Sequence, residues 1–526
     1  MAQIDRRSFL AAAGAIATMA AAGRRASAEG TASGTGSPGD LAYRSVSELR
    51  AMLDARQVSA KELLEHAIAR IEANDSQINA VVVRDFEHAR VSANAADAAL
   101  ARGERRPLLG IPMTVKEAFN VAGLPTTWGL PAGKDWRPAE DAVAVARLKA
   151  AGAIVLGKSN LATAVADWQS FNVIYGTTNN PWDLGRTPGG SSGGSAAALA
   201  AGYVPLELGS DISGSLRVPA HFCGVFAHKP SSYLVPQRGH TPPRSPALAT
   251  DLSSGLGVCG PMARNAADLA AALDVLAGPD DDEAAAYRLS LPPARHGDLH
   301  GYRALVLDAH PLLPVANEIR GTLDRFAGHL TAAGVAVSRS SALLPDLAKS
   351  ARLHTRMVKS FISFGLPPEF FRQIRESAAA LAPDDDSLKA WRIRGPLMSH
   401  QDWMNAELER AQLRQQWRTL FKEFDVVLCP PFSVPAFPHD HLEDQEKRVI
   451  DIDGTAFPYP SLIVWATLAT PPGLPATVMP IGRTRTGLPI GMQIIGGFLD
   501  DKTTLKFAEL IEREFGGFTP PPNYKT

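Results

Sequence analysis

The fold class that the sequence predicts is a single α/β domain whose sheet is covered by helices on both faces. Between residues 110 and 230, short apolar runs alternate with Gly-rich turns and Ala-rich helical stretches, a pattern typical of such sheets. Hydrophobic residues make up 45% of the 526 residues and charged residues 20%, so a large core can be buried. The sequence contains no repeat at the roughly 20–50-residue periods of solenoids, and one large domain is the simplest interpretation.

The first elements of this domain are predicted to be helices and one strand. Capping-box patterns begin at Ser45 and Ser59, each with a glutamate three residues later, and apolar residues at helical spacing follow Ser59. Residues 79–83 predict a strand. Residues 86–102 predict an Ala-rich helix that ends near Gly103.

Later strands continue the sheet on either side of a helical insertion. Residues 345–425 are richer in Arg, Glu, Trp and Phe at helical spacing, and they predict an α-helical insertion. A strand–turn–strand unit after Gly473 is followed by a predicted helix that runs to about Glu514. Strands are further expected at residues 154–156, 204–208, 301–307, 335–337 and 424–429.

The N-terminus predicts an export signal. Arg6 and Arg7 precede Phe-Leu and an Ala-rich apolar stretch, and the small residues at 26–28 match a signal-peptidase site. The paired arginines resemble a Tat signal, so we expect the mature protein to work in the periplasm. The expected segments are a Tat-type signal peptide at 1–28, a flexible leader at 29–41 and the domain at 42–526.

Charge and cysteine content argue against several kinds of partner. Lys and Arg total 53 and Asp and Glu total 54, which gives no basic surface for nucleic acid or for a polybasic membrane contact. No apolar run reaches the roughly 18 residues of a membrane span. Cys223, Cys259 and Cys429 form no C-x-x-C pair and are expected to be buried and free, although a Cys223–Cys259 disulfide stays open. The sequence also leaves a homo-oligomer open.

Two Gly/Ser-rich segments are the most unusual part of the chain. They run from Thr187 to Ser195 and from Gly209 to Arg217. Glycines let the backbone turn sharply and bring N–H groups close to a ligand, and a row of such groups can hold an oxyanion. Serines in these loops are candidate nucleophiles, but a phosphate-binding loop or a plain flexible loop has the same composition.

Several ordered motifs resemble the amidase signature family over roughly residues 42–515, most weakly across 345–425. The Gly/Ser segments contain Gly-Gly-Ser191-Ser-Gly-Gly-Ser and Gly-Ser-Asp-Ile-Ser-Gly-Ser215-Leu-Arg, and Lys116 lies in Gly-Ile-Pro-Met-Thr-Val-Lys-Glu-Ala. Further matches lie at residues 157–160, 224–230, 260–264, 473–476 and 487–491. The resemblance implies a mixed, twisted sheet and the hydrolysis of a carboxylic amide.

The resemblance also implies roles for particular residues. Ser215 would be the nucleophile, Ser191 the bridging serine after a cis peptide bond, and Lys116 the base. Apart from the resemblance, Asp211 and Arg217 are expected to form supporting hydrogen bonds or an ion pair rather than to act directly.

The backbone N–H groups of Ile212, Ser213, Gly214 and Ser215 would form the oxyanion hole. The family usually has Gly where this chain has Ser213, so a Cβ there would narrow the loop or add a hydroxyl to it.

These roles are chemically consistent. A serine hydroxyl is a weak nucleophile until a base removes its proton, and a buried lysine can be neutral near pH 7. Ser191 would pass the proton from Ser215 to Lys116 and later to the leaving amine, since amide cleavage needs an acid as well as a base. The reaction would give an acyl-enzyme, and neither a metal nor an organic cofactor is expected.

Other polar residues nearby are expected to be structural. Lys158 and Lys229 lack the sequence context of Lys116, and Ser192 and Ser195 are expected to cap the following helix. The histidines of His439-Asp440-His441 are expected to be solvated rather than metal-binding.

Residues 189–193 also fit G-x-S-x-G, but a nucleophile elbow needs a preceding strand, which the polar residues 179–188 do not predict. Aromatic residues of the insertion either pack against the sheet or line the acyl pocket, and we predict the pocket. They are Phe361, Phe364, Phe370, Phe371, Trp391 and Trp403.

Three other functions compete with hydrolysis of a small-molecule amide. A transamidation protein that acts on charged tRNA is disfavoured by the export signal and the neutral surface. A non-catalytic binding protein on the same scaffold need not retain Lys116, Ser191 and Ser215. An unrelated serine esterase would need an elbow that the sequence does not predict.

Overall fold

An eleven-stranded mixed sheet organises the fold, as seen in a computed structural model of the protein that describes residues 41–245, 254–363 and 365–524. The strand order is β1-β3-β2-β6-β8-β7-β14-β15-β11-β9-β10. The strands of this sheet are β1 Val81–Arg84, β2 Pro112–Lys116, β3 Ile154–Ser159, β6 Leu206–Asp211, β7 Phe226–Lys229, β8 Val258–Ala263, β9 Arg303–Val306, β10 Ala336–Ser338, β11 Val426–Cys429, β14 Ala476–Arg483 and β15 Pro489–Ile495. Two small hairpins lie outside it: β4 Phe171–Asn172 with β5 Gly176–Thr177, and β12 Val449–Ile452 with β13 Thr455–Pro458.

Strand directions confirm that the sheet is mixed. β3, β2 and β6 are parallel, as are β10, β9 and β11, and the strands between these two groups pair antiparallel. Parallel neighbours require long crossover connections, and helices supply most of them here. The α/β fold class is therefore confirmed, and the described residues fall within one compact unit.

Fourteen α-helices are assigned within the described residues. They are α1 Val46–Asp54, α2 Ala60–Ile78, α3 Phe86–Ala101, α4 Val143–Ala150, α5 Gly193–Ala200, α6 Arg217–Cys223, α7 Ala266–Leu276, α8 Asp281–Ala284, α9 Asn317–Ala332, α10 Leu347–Ile362, α11 Pro368–Ala379, α12 Leu388–Arg394, α13 His400–Glu423 and α14 Asp501–Phe515. Short 3₁₀ helices lie at Pro131–Gly133, Thr163–Val165, Leu299–Gly301, Gly395–Leu397, Gln445–Lys447 and Pro522–Tyr524, and a longer one at Tyr459–Leu468.

The two faces of the sheet bury separate apolar clusters. Along β11, Val426 and Leu428 belong to the cluster that α2, α7 and α14 cover. The alternate residues Val427 and Cys429 belong to the cluster that α10, α13 and the 3₁₀ helix Tyr459–Leu468 cover. Successive side chains of a strand point to opposite faces, so both faces are packed and helices cover both.

The predicted helix starts are confirmed at atomic detail. Ser45 and Ser59 each accept a hydrogen bond from the backbone N–H of the glutamate three residues later, and that glutamate bonds back to the serine N–H. These reciprocal bonds satisfy backbone donors that a helix start leaves unpaired. Both glutamates also have a lowered pKa, and the backbone N–H of Ser59 is the main cause for Glu62.

Some predicted segments lie outside the described residues. The signal peptide at 1–28 and all of the leader at 29–41 except Leu41 are in that group. The predicted insertion at 345–425 holds α10 to α13. Among the residues that the structure describes, no helix combines the length and apolarity needed to cross a membrane.

Candidate active site

The predicted catalytic residues lie where two parallel strands end. β2 ends at Lys116 and β6 ends at Asp211, and the two strands are neighbours in parallel register. The carboxyl edge of parallel strands is where α/β sheets commonly bind ligands, because the connecting loops leave the sheet there. The turn before α5 carries Ser191, and the turn between β6 and α6 carries Ser215.

Lys116 is completely buried and faces two hydroxyl groups. Its Nζ lies 2.6 Å from Ser191 Oγ and 3.0 Å from Ser210 Oγ. Burial lowers the pKa of Lys116 to about 7, and the opposing charge of Asp211 only partly offsets this. A lysine with such a pKa is neutral in a large fraction of molecules near pH 7, so it can accept a proton from a neighbouring hydroxyl.

The turn that carries Ser191 is held by a serine that no sequence motif singles out. The Gly190–Ser191 peptide bond is cis, as the family resemblance implies. Ser170 Oγ donates to the carbonyl of Gly189 at 3.0 Å. A Cβ at Gly190 would lie 2.5 Å from the carbonyl oxygen of Asp167, so the close approach of two backbone segments requires glycine.

Ser215 lies against the Ser191 turn with a free hydroxyl. Its backbone carbonyl accepts the N–H of Ser192 at 3.2 Å, which joins the two serine-rich turns. The residue is 6% exposed, whereas Ser191 is completely buried. Within the described part of the chain the Ser215 hydroxyl makes no hydrogen bond, so it is the serine of the pair that a substrate can approach.

Asp211 and Arg217 form the supporting ion pair that was expected from the sequence. Both side chains are buried, and Arg217 Nη2 and Nε lie 2.8 and 2.9 Å from the two carboxylate oxygens. The same carboxylate accepts the N–H groups of Gly214 at 2.8 Å and Leu216 at 3.0 Å. Burial alone would raise the pKa of Asp211, but Arg217 and these N–H groups lower it well below its usual range.

This arrangement changes the expected oxyanion hole. The N–H of Gly214 is bound to Asp211 and does not point to an open site. Among the described residues, no acceptor binds the N–H groups of Ile212, Ser213 or Ser215. These three are therefore the N–H groups of the loop that remain available to an oxyanion.

Ser213 connects this loop to the helical insertion. Its Oγ lies 3.0 Å from Nε2 of His354, a completely buried residue of α10. Its backbone carbonyl accepts Trp168 Nε1–H at 2.9 Å. Neither His354 nor Trp168 was singled out from the sequence, because a lone histidine or tryptophan in a helical or loop segment carries no motif.

Behind the site, the buried carboxyl of Glu207 joins neighbouring strands. Burial raises the pKa of Glu207 to about 8, although hydrogen bonds from Thr114 and from Ser195 and Ser159 oppose the rise.

The two predicted helix caps, Ser192 and Ser195, are wrong. Ser195 lies inside α5 and bonds Ser159 Oγ at 2.8 Å, so it is not a helix cap. Ser192 makes no side-chain capping bond either, because its hydroxyl donates to the Ser210 carbonyl across the two turns.

Two other lysines are buried, but their partners differ. Lys229 Nζ donates to the carbonyls of Pro230 and Leu474 at 3.0 and 2.8 Å. Lys158 Nζ donates to the Pro125 carbonyl and to a threonine hydroxyl. Burial lowers the pKa of both, to about 7 for Lys229 and about 8 for Lys158. Both are integrated into the fold rather than solvated.

The remaining candidates contribute no further site. All three cysteines are buried and lie outside any disulfide, so the Cys223–Cys259 disulfide that the sequence left open does not form. The turn before Ser191 is not a strand, which contradicts the nucleophile-elbow alternative. His441 stacks on Phe171, with the two ring centroids 4.2 Å apart. The described residues contain no group of three or more His, Cys, Asp or Glu side chains that could hold a metal ion.

The six aromatic residues of the insertion occupy mixed environments. The Arg356 guanidinium lies over the Trp391 ring, 5.3 Å from the ring centroid, and Trp403 packs against the apolar cluster under α10 and α13. Phe370 is 47% exposed, and Phe361 and Phe371 are half-buried. Phe364 lies outside the described residues. Their predicted role in the acyl pocket stays a prediction.

Comparison with known proteins identifies the family. The amidase family profile matches residues 62–505. The chain belongs to the amidase signature family. It is an amidase, a hydrolase that cleaves amide C–N bonds, and the expected enzyme class is thereby confirmed.

Relatives of this amidase are similar along nearly their whole length. A glutamyl-tRNA(Gln) amidotransferase subunit of Roseiflexus sp. (strain RS-1) is 32% identical, over 91% of this chain and 98% of that protein. Fatty-acid amide hydrolase 2-A of Danio rerio is also 32% identical, over 91% of this chain and 90% of that protein. The crystal structure of a bacterial aryl acylamidase of the same family superposes with a TM-score of 0.75 at 26% identity, over 90% of this chain and 96% of that one.

Proposed function

We propose that this amidase cleaves its substrate through an acyl-enzyme on Ser215, with Ser191 carrying protons between Ser215 and Lys116. The observation that carries the proposal is the 2.6 Å contact between Lys116 Nζ and Ser191 Oγ in a completely buried pocket. A neutral lysine at this distance can accept the Ser191 proton, and Ser191 can then accept the proton of Ser215.

Acylation uses this proposed proton path. As Ser215 Oγ attacks the amide carbon, its proton moves to Ser191 and the Ser191 proton moves to Lys116. The negative charge that develops on the carbonyl oxygen is stabilised by the free N–H groups of Ile212, Ser213 and Ser215. The proton then returns through Ser191 to the amide nitrogen, the C–N bond breaks, and the amine leaves an ester on Ser215.

Deacylation reverses the proton path with water in place of the amine. A water molecule attacks the ester carbon and gives its proton to Lys116 through Ser191. Collapse of the second tetrahedral intermediate returns a proton to Ser215 and releases the carboxylic acid. In each of the two half-reactions Lys116 thus acts once as a base and once as an acid.

A fluorophosphonate probe tests the assignment of the nucleophile. The probe should label the wild-type protein on the peptide that contains Ser215, and Ser215→Ala should abolish both labelling and acyl-enzyme formation. Ser192→Ala serves as the control, because Ser192 is buried in the adjoining turn but is not part of the proposed path. Mass-spectrometric recovery of the label on Ser191 or Ser192 would contradict the assignment.

The similarity to the amidotransferase protein favours a second candidate, a transamidation subunit that delivers ammonia to a charged tRNA. A screen of aliphatic, aryl and amino-acid amides with an ammonia or amine readout separates the two. Hydrolysis by the isolated chain supports an independent amidase. Activity only with an added partner and charged tRNA would support the transamidation role instead.

We further propose that the helical insertion contributes the acyl pocket. Aromatic side chains supply the apolar surface that ligand pockets need, and Ser213 is bonded to His354 on α10 of this segment. Alanine substitutions at the six aromatic positions should shift the ratio of kcat/KM between two amides that differ in acyl size. Equal changes on both substrates, or changes in stability alone, would assign these residues to packing.

Export through a Tat-type signal is also a proposal, and the paired arginines at positions 6 and 7 support it. Arg6→Lys combined with Arg7→Lys should leave the precursor in the cytoplasm, as fractionation and the size of the precursor would reveal. Normal appearance of this double variant in the periplasm would indicate another route.

A further inference from the structure

The loop of residues 212–215, whose free N–H groups face the proposed oxyanion, carries a serine side chain at position 213, where this family usually has glycine. Ser213 Oγ lies 3.0 Å from His354 Nε2, and among the described residues it has no other hydrogen-bond partner. The Ser213 carbonyl is held separately by Trp168. The hydroxyl is therefore held by the insertion through one hydrogen bond, and Ser213 keeps part of its surface accessible.

The surroundings of His354 decide which atom is the donor. Burial lowers the pKa of His354 to about 3, and the positive charge of Arg217 adds to this, so the ring is neutral. One ring nitrogen then carries the proton. Nδ1 is buried without a hydrogen-bond partner among the described residues.

Orphaned buried N–H groups are rare in proteins, and unsatisfied acceptors are somewhat less rare. The favoured tautomer of His354 is therefore the one that is protonated at Nε2. In that tautomer Nε2–H donates to Ser213 Oγ, and the Ser213 hydroxyl hydrogen must point to another acceptor.

Ser213 is a close neighbour of the reacting serine along the chain. Ser213 lies two residues before Ser215 and keeps part of its surface accessible, whereas His354 is completely buried. The N–H of the next residue, Gly214, is bound to Asp211 and cannot serve a ligand. The hydroxyl thus adds one donor to a loop in which a backbone donor is already occupied.

We propose that His354 positions Ser213 as a specificity-determining residue, whose hydroxyl donates to a hydrogen-bond acceptor in the acyl part of the substrate, next to the reacting carbonyl. The preferred substrates are then amides whose acyl group carries an ether, keto or similar oxygen near the amide, rather than purely aliphatic acyl groups. This inference rests on the proposed acyl-enzyme at Ser215.

The test uses two 4-nitrophenyl esters of nearly equal size, methoxyacetyl and butyryl, which differ by an oxygen in place of a CH₂ group. The readout is the ratio of their kcat/KM values for acylation, relative to the ratio for wild type, so that their different intrinsic reactivities cancel. Ser213→Ala should lower this ratio by about five- to tenfold, the effect of one neutral hydrogen bond. His354→Phe should lower it in the same direction, and Ser213→Thr should keep it within about twofold because the hydroxyl is retained.

Ser350→Ala is the matched control. Ser350 lies on the same helix and donates to the Thr467 carbonyl at 3.1 Å, so the variant perturbs α10 without removing the Ser213 contact. Its ester ratio should equal that of wild type. An unchanged ratio in Ser213→Ala, or an equal change in Ser350→Ala, would overturn the inference.

Fluorophosphonate labelling distinguishes this failure from failure of the proposed function. If Ser215 is labelled but the ratio does not respond to Ser213→Ala, only the role of Ser213 is wrong. If Ser215 is labelled and neither ester acylates it, the proposed preference for an acyl group with an oxygen near the reacting carbonyl is wrong. If Ser215 is not labelled, the acyl-enzyme itself is wrong and this inference fails with it.

Discussion

The regions around Lys116 and Lys229 present the same buried amine with opposite consequences. Both lysines are completely buried, and burial lowers the pKa of each to about 7. Lys116 faces the hydroxyls of Ser191 and Ser210, whereas Lys229 faces two backbone carbonyls. A lowered pKa therefore does not by itself identify a catalytic base.

The partners decide what each amine can do. A neutral amine has two N–H donors and one lone pair, and two carbonyls can only accept its hydrogens. Lys229 is thus satisfied as a donor and has no neighbour among the described residues that can give it a proton. A hydroxyl both donates and accepts, so Lys116 can receive a proton from Ser191, and this is the property that a base requires.

The largest expected difference between the two regions is catalytic. Lys116→Ala should lower amidase kcat/KM by about 10²–10⁴-fold, because it removes the general base. Lys229→Met, the control, should change kcat/KM by much less while altering stability. Steady-state kinetics on one amide decide the matter. Near wild-type activity in Lys116→Ala, or an equal loss in Lys229→Met, would remove the distinction between the two lysines.

Asp211 links the two regions, because its negative charge raises the pKa of both lysines and so opposes the effect of burial. Asp211→Asn leaves Arg217 buried without its carboxylate and should destabilise the fold by about 3–5 kcal/mol. Loss of the negative charge should also lower the pKa of Lys116, so the activity–pH profile moves to lower pH. Chemical denaturation and a pH series measure the two effects. A profile that moves to higher pH would show that Asp211 does not act on Lys116 through its charge.

The pH dependence of the wild type sharpens the assignment of the base. Since the neutral form of Lys116 accepts the proton, kcat/KM should fall about tenfold per pH unit below its pKa of about 7 and level off above it. Lys229→Met should keep this profile. A profile controlled by Lys229 instead would shift or disappear in that variant.

The last expected effect is on the pH dependence of stability, through Lys229. Its folded pKa of about 7 lies below the unfolded value of about 10.4, so the unfolded chain binds more protons between these values. The stability of wild type relative to Lys229→Met should therefore rise as the pH increases from 7 toward 10. Urea denaturation at several pH values measures this difference. A constant difference would indicate that Lys229 is charged in the folded protein.

The fold was largely predictable because its signals are local. The capping serines Ser45 and Ser59 begin helices as expected, and the apolar run at 426–429 forms a strand of the sheet. Such features depend on residues a few positions apart. The predicted caps Ser192 and Ser195 were wrong because tertiary partners, Ser210 and Ser159, take their hydroxyls instead.

The candidate site shows where local signals end. Family-specific motifs in the sequence pointed to Lys116, Ser191 and Ser215, and the structure places Lys116 against Ser191. The sequence could not indicate that Gly214 gives its N–H to Asp211, because that depends on how the loop folds back on β6. Ser210, beside Lys116, was missed because this contact depends on the pairing of β6 with β2.

The sequence by itself thus determined the fold class, the family and the residue types that can carry out amide hydrolysis. Only the tertiary structure decided which hydroxyls Lys116 faces and that Ser213 meets His354 on α10. The physical reason is that proton transfer and hydrogen bonding act over about 3 Å. Ser213 and His354 are 141 positions apart in the chain, and only packing of the insertion onto the sheet brings them within that distance.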